Sequence, residues 1–79
     1  RLEALKVRLD SQPYEGAIAY GANVQGSGWQ TWSQNDALTG TTGTGKYLEA
    51  FKIKLTGEMA EHYDIYYLRK YVKFLLFEI

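Results

Sequence analysis

Leu2-Glu3-Ala4-Leu5-Lys6-Val7-Arg8-Leu9 returns 46 residues later as Leu48-Glu49-Ala50-Phe51-Lys52-Ile53-Lys54-Leu55. Five of the eight positions are identical, and the other three exchange like for like: Leu5 for Phe51, Val7 for Ile53, Arg8 for Lys54. Self-similarity at a fixed period of this size marks a repeat architecture. In both copies apolar residues alternate with cations, Leu5, Val7 and Leu9 against Lys6 and Arg8, then Phe51, Ile53 and Leu55 against Lys52 and Lys54. A period of two sends the apolar side chains to one face and the charges to the other, as in a sheet wet on one side.

Working outward, Asp10-Ser11-Gln12-Pro13 carries turn chemistry, because Pro13 fixes φ and Asp and Ser bond their own backbone. A third strand is expected over about 17–25, with Ile18, Tyr20, Ala22 and Val24 on one face. Its opening, Ile18-Ala19-Tyr20, is answered one residue out of step by Ile65-Tyr66-Tyr67 after the second copy. Gly26-Ser27-Gly28 makes a flexible corner into Trp29-Gln30-Thr31-Trp32. The indoles are three positions apart, so a regular strand sends one into the core and the other to solvent. Asn35-Asp36 marks a turn, and 39–45 form a glycine-punctuated connection. Short strands, frequent turns and no convincing helix before Gly57 predict an all-β fold of short antiparallel strands. On association, such a unit is compatible with prism-like or trefoil-like closure.

The tail reads two ways. Leu68, Tyr71, Val72, Leu75, Leu76 and Ile79 recur with helical spacing, whereas Tyr63-Asp64-Ile65-Tyr66-Tyr67 is β-prone. A strand is expected to about Tyr67, with helix and strand both open beyond it. The whole of 1–79 reads as one small module, with 2–47 a full repeat and 48–79 a partial, altered second one.

Composition narrows the chemistry. Nine Lys plus Arg balance nine Asp plus Glu in 79 residues, whereas a nucleic-acid binder of this size normally carries a basic excess. There is no cysteine, which excludes disulfides and thiolate metal sites, and the lone His62 does not make a zinc site, so no metal or cofactor is expected. No run of eighteen uncharged apolar residues is present to span a membrane. The chain opens on Arg1 with no visible signal peptide, as an excised fragment would. A cysteine-free domain this small leans on neighbours for stability, so self-association or tandem repeats are expected.

The run Val24-Gln25-Gly26-Ser27-Gly28-Trp29-Gln30-Thr31-Trp32, then Gly40-Thr41-Thr42-Gly43, then Leu48 to Leu55, resembles the clostridial hydrophobic tryptophan repeat over roughly 2–67. The chain departs from that pattern at Gly21-Ala22-Asn23, where family copies carry a basic or histidine residue. It departs again at Asn35-Asp36, where they carry Asn-Gly, and in the second copy, which has no tryptophan. The resemblance implies a non-catalytic attachment module of secreted or cell-surface proteins of Gram-positive bacteria.

Against that background the aromatic residues are the candidate ligand contacts. Trp32, with Trp29 and Tyr20, offers apolar ring faces, and Gln30, Asn35 and Asp36 offer groups that bond sugar hydroxyls. For Trp29 the competing assignment is a core or inter-repeat packing residue. Gly40-Thr41-Thr42-Gly43-Thr44-Gly45-Lys46 has the glycine and lysine spacing of a phosphate loop, but Tyr47 stands where the magnesium-binding hydroxyl belongs. Glu3 and Glu49 recur as repeat positions and form no catalytic pair, and His62 reads as a solvated surface histidine. The expected function is a glycan-binding repeat of cell wall or cell surface. It would anchor a secreted bacterial or phage protein such as a peptidoglycan hydrolase to wall polysaccharide or peptidoglycan. The alternative is a protein–protein interaction module in an extracellular assembly.

Overall fold

A computed structural model describes residues 2–68 and 73–78. Its elements run β1 (Ala4–Leu5), β2 (Ile18–Val24), β3 (Gly28–Trp29), β4 (Ser33–Gln34), β5 (Thr39–Gly40), β6 (Leu48–Leu55), α1 (Gly57–His62), β7 (Tyr63–Leu68) and β8 (Lys73–Glu78). The fold is all-β with antiparallel pairing and one short helix among the described residues. β2 is the spine. β6 lies along one edge of it from Ile18↔Leu55 to Val24↔Leu48, and β3 and β4 share the other edge.

The two copies of the repeated octapeptide behave differently. The second is a full eight-residue strand, because β2 offers it a long edge. In the first only Ala4 and Leu5 enter a ladder, against Gly40 and Thr39, and the rest is fastened by single bonds such as Asp36 N–H to Val7 C=O at 2.8 Å. Alternation survives without a ladder, with Leu5, Val7 and Leu9 half-buried and Lys6 and Arg8 exposed. The backbone also repeats, since Ser11 (φ 53°) and Gly57 (φ 64°) both turn left-handed two residues past the last leucine of their copy.

The core sits on the face of β2 that carries Ile18 and Tyr20, joined by Leu55 and by Met59 of α1. Val7, Leu9, Tyr14, Ile53, Tyr63 and Ile65 pack around them. Each fully buried side chain of this kind contributes on the order of 1.5–3 kcal/mol. Tyr20 keeps its hydroxyl satisfied by donating to the Ala37 carbonyl.

α1 was not anticipated. Thr56 precedes it in extended conformation, and its hydroxyl accepts from Ala17 N–H at 3.1 Å, so it ties the helix to the start of β2. Met59 N–H donates to the Glu15 carbonyl at 3.0 Å while its side chain enters the core. The same helix corrects the reading of His62, which is half-buried and stacks on Tyr14 with ring centroids 3.7 Å apart and planes 7° from parallel. In the tail, β8 pairs with β7 from Tyr63↔Glu78 to Leu68↔Lys73, which resolves that stretch as strand. Residues 69–72 and 79, which the helical spacing also used, lie outside the described residues.

Candidate functional site

β2 is buried on both faces. Ile18, Tyr20, Ala22 and Val24 point into the core as anticipated, but Ala19 and Gly21 on the opposite side are covered too. What covers that second face follows from the pairing. Lys54 lies opposite Ala19 and Lys52 opposite Gly21 on β6. On the other edge Trp29 lies opposite Asn23 and Ser33 opposite Tyr20. Four steps from Trp29 to Ser33 therefore answer three steps along β2, which makes β3 and β4 the halves of one bulged strand. The extra residue falls at Thr31–Trp32, opposite Gly21.

That bulge sets the geometry of the site. A one-residue insertion resets the alternation of faces, so the two indoles share a side instead of dividing between core and solvent. The expectation that one of them enters the core is corrected: Trp29 is 51% exposed and Trp32 41%. Lys52 Nζ stands 4.9 Å from the Trp29 ring centroid and 4.5 Å from that of Trp32, and Lys54 Nζ stands 4.3 Å from Trp32. A cation over an indole face is held by the ring quadrupole, with about 0.5–1 kcal/mol at exposed sites. Gly21 makes room for this, since a Cβ there would lie 3.2 Å from Lys52 Cε. The small residues of β2 thus form the floor, with two lysine stems laid across it and two indoles along one side.

Other candidate residues are placed less favourably. Tyr20 is fully buried on the core face, so its assignment as a ligand contact is withdrawn; alternation put it with Ile18, and nothing in its type distinguishes a core tyrosine from a surface one. Gln30 is half-buried, and its N–H donates to the Ala22 carbonyl at 2.8 Å. Asn35 is exposed but committed, because its Oδ1 accepts from Ile18 N–H at 3.2 Å and its own N–H donates to the Ile18 carbonyl at 3.2 Å. Asn35 (φ 36°) and Asp36 (φ 70°) form a turn closed by Ala37 N–H to the Gln34 carbonyl at 3.1 Å, the mirror-image type that favours these residues. The Asp36 side chain is exposed, beyond the end of β4.

Lys52, Lys54 and Gln34 went unrecognised as site residues. Gln34 lies two residues past Trp32, opposite Ala19, and is exposed. The sequence signal was present in the alternation of Lys52 and Lys54 along the second copy, but the partner strand that carries the indoles was not. No group of three or more potential metal ligands occurs among the described residues. No helix among them is long and apolar enough to cross a membrane. Lys46 Nζ donates to Ser27 Oγ at 3.2 Å, which ties the glycine-rich connection to the corner before Trp29 instead of to a helix, as a phosphate loop requires.

Residues 23–57 match the family model described as clostridial hydrophobic W. The matched span contains Trp29, Trp32, Lys52 and Lys54, and leaves Gly21 just outside it. No curated protein and no solved structure matches the chain.

Proposed function

We propose that this chain, which carries a clostridial hydrophobic W repeat over residues 23–57, is a non-catalytic module that binds glycan of the bacterial cell wall or cell surface. It would anchor a secreted protein of a Gram-positive bacterium or its phage, such as a peptidoglycan hydrolase. The observation that carries this reading is the pair of exposed indoles brought onto one face by the bulge, beside Lys52, Lys54 and Gln34. Ring faces stack on the apolar side of a sugar while a few polar groups fix its orientation. Affinity at one such open face is modest, and tandem copies or oligomers raise it through effective concentration. Retention on purified Gram-positive cell walls tests the proposal. Wild type is expected to be retained and Trp32→Ala to lose about tenfold or more, with near-ultraviolet circular dichroism confirming that the variant folds. Failure of the folded wild type to bind walls overturns it.

A second reading, a protein–protein interaction module of an extracellular assembly, rests on a different surface. A cleft of about 380 Å³ is lined by apolar residues including Val7, Leu9, Met59, Tyr63, Ile65 and Leu76. Under that reading, binding to walls is abolished by protease treatment of the walls and unaffected by Trp32→Ala.

A further inference from the structure

Among the described residues, the two ammonium groups on the indole face, those of Lys52 and Lys54, make no ion pair; the pair that does form, Arg8 with Asp10 at 3.3 Å, is on exposed surface of the first copy. Both ammonium groups nevertheless lie within 4.5 Å of the same Trp32 centroid. Two ammonium groups that close to one centroid are less than about 9 Å apart, where like charges repel and physiological salt, with a screening length of about 8 Å, relieves the repulsion only in part. A third cation, Lys46, is held at the Ser27 corner two residues before Trp29. In a chain with no net charge, positive charge is therefore gathered beside the aromatic face.

We infer that the ligand of this face is an anionic glycan, with a sugar ring against Trp29 or Trp32 and a phosphate or carboxylate group between Lys52 and Lys54. The inference rests on the glycan-binding reading above and names the class of glycan. An anion at that position accepts charge-assisted hydrogen bonds from both ammonium groups and removes their mutual repulsion. Lysine, a point charge with rotatable donors, accommodates either oxyanion and does not select between them. Two features favour a polysaccharide over other polyanions. Nucleic acid draws its affinity from many phosphate contacts, which a chain with no net positive charge does not supply, whereas a sugar seated on an indole needs one oxyanion beside two lysines. The indoles flank a sheet face alongside lysine stems instead of projecting from a loop tip, which is poor geometry for entering a lipid surface.

Native Gram-positive walls, walls stripped of phosphodiester-linked polymer with hydrofluoric acid, and walls with amidated carboxyl groups separate the two sources of anion. Wild type, Lys52→Gln/Lys54→Gln, Lys52→Arg/Lys54→Arg and Trp32→Ala are compared on each, with near-ultraviolet circular dichroism as the check on folding. The expected result is loss of about tenfold or more in wild-type affinity on one of the two treated walls. A comparable loss is expected for the glutamine variant on native walls, with recovery in the arginine variant. Acid sensitivity assigns a phosphate ligand and amidation sensitivity a carboxylate. Wall binding that both treatments and the glutamine substitutions leave intact, while Trp32→Ala abolishes it, overturns the anionic assignment and leaves glycan binding standing. No wall binding by wild type overturns both. Tighter binding to phosphatidylglycerol vesicles or single-stranded oligothymidylate than to native walls overturns the choice of polysaccharide.

Discussion

Two glycines show how differently one residue type is used in this chain. Gly40 has φ +94°, and a Cβ there would lie 2.4 Å from the Glu3 carbonyl oxygen and 3.0 Å from Ala4 Cα. The obstruction is the backbone of Glu3 and Ala4 on the facing strand, which cannot swing aside as a side chain does, so Gly40→Ala is expected to cost about 2 kcal/mol or more, read from urea unfolding. At Gly21 the nearest obstruction is the far end of a flexible lysine, and the backbone needs no left-handed φ. Gly21→Ala is therefore expected to change stability by less than about 1 kcal/mol while displacing Lys52 from the indoles. The displacement is read in tryptophan fluorescence, and a variant that loses as much stability as Gly40→Ala counts against this placement of Lys52. Thr39 presents the opposite case. It is 2% exposed, and its hydroxyl has no hydrogen-bond partner. Valine has the same shape without the desolvated group, so Thr39→Val is expected to stabilise by about 1 kcal/mol, seen as a higher urea midpoint.

Among the elements, the bulged strand of β3 and β4 joins sequence to site, and a deletion tests it. Removing Thr31 leaves three steps against three, so a regular strand then carries both indoles on the lysine face while Ser33 and Gln34 keep their partners on β2. The Thr31 deletion is expected to fold, with tryptophan fluorescence and wall retention near those of wild type. Had the indoles been divided between core and solvent, the same deletion would drag a core ring to the surface and unfold the chain. The strands themselves were legible because Phe51, Ile53 and Leu55 alternate with Lys52 and Lys54, and the larger apolar residues Ile18, Tyr20 and Val24 fall on one face of a period of two. The face shared by the indoles was not, because a bulge adds one residue without any local chemical mark; Gln30 and Thr31 are ordinary strand residues. α1 was hidden for a related reason: six residues hold too few turns for a period, and what places the helix is Met59 in a core built from distant strands. Lys52 and Lys54 looked like a solvated stripe, since single-sequence alternation gives the face of a residue but not its neighbour.

For the whole molecule, the dimensions bear on how it works with others of its kind. The radius of gyration is 13.1 Å and the extents are 38 × 24 × 18 Å, whereas a compact chain of this length has a radius of about 11.6 Å. Its accessible surface, 5360 Å², exceeds the roughly 4900 Å² usual for this mass. The excess accompanies an open arrangement of sheets, in which Ile18, Tyr20, Leu55 and Met59 form the buried cluster among the described residues. Leu2, Leu38 and Leu76 remain exposed, and Leu76 borders the cleft that also reaches Val7 and Leu9. Filling that cleft with apolar surface contributes about 25 cal/mol per Å² removed from water, a large term in a small domain with no cysteine for a disulfide. The chain is accordingly expected to self-associate at micromolar to millimolar concentration, detected by light scattering and sedimentation. Leu76→Glu is expected to shift it toward monomer while preserving near-ultraviolet circular dichroism, because Leu76 is 39% exposed and outside the buried cluster. A wild type that stays monomeric across that range would leave the cleft to a different partner, and avidity for walls would then have to come from tandem copies in one polypeptide.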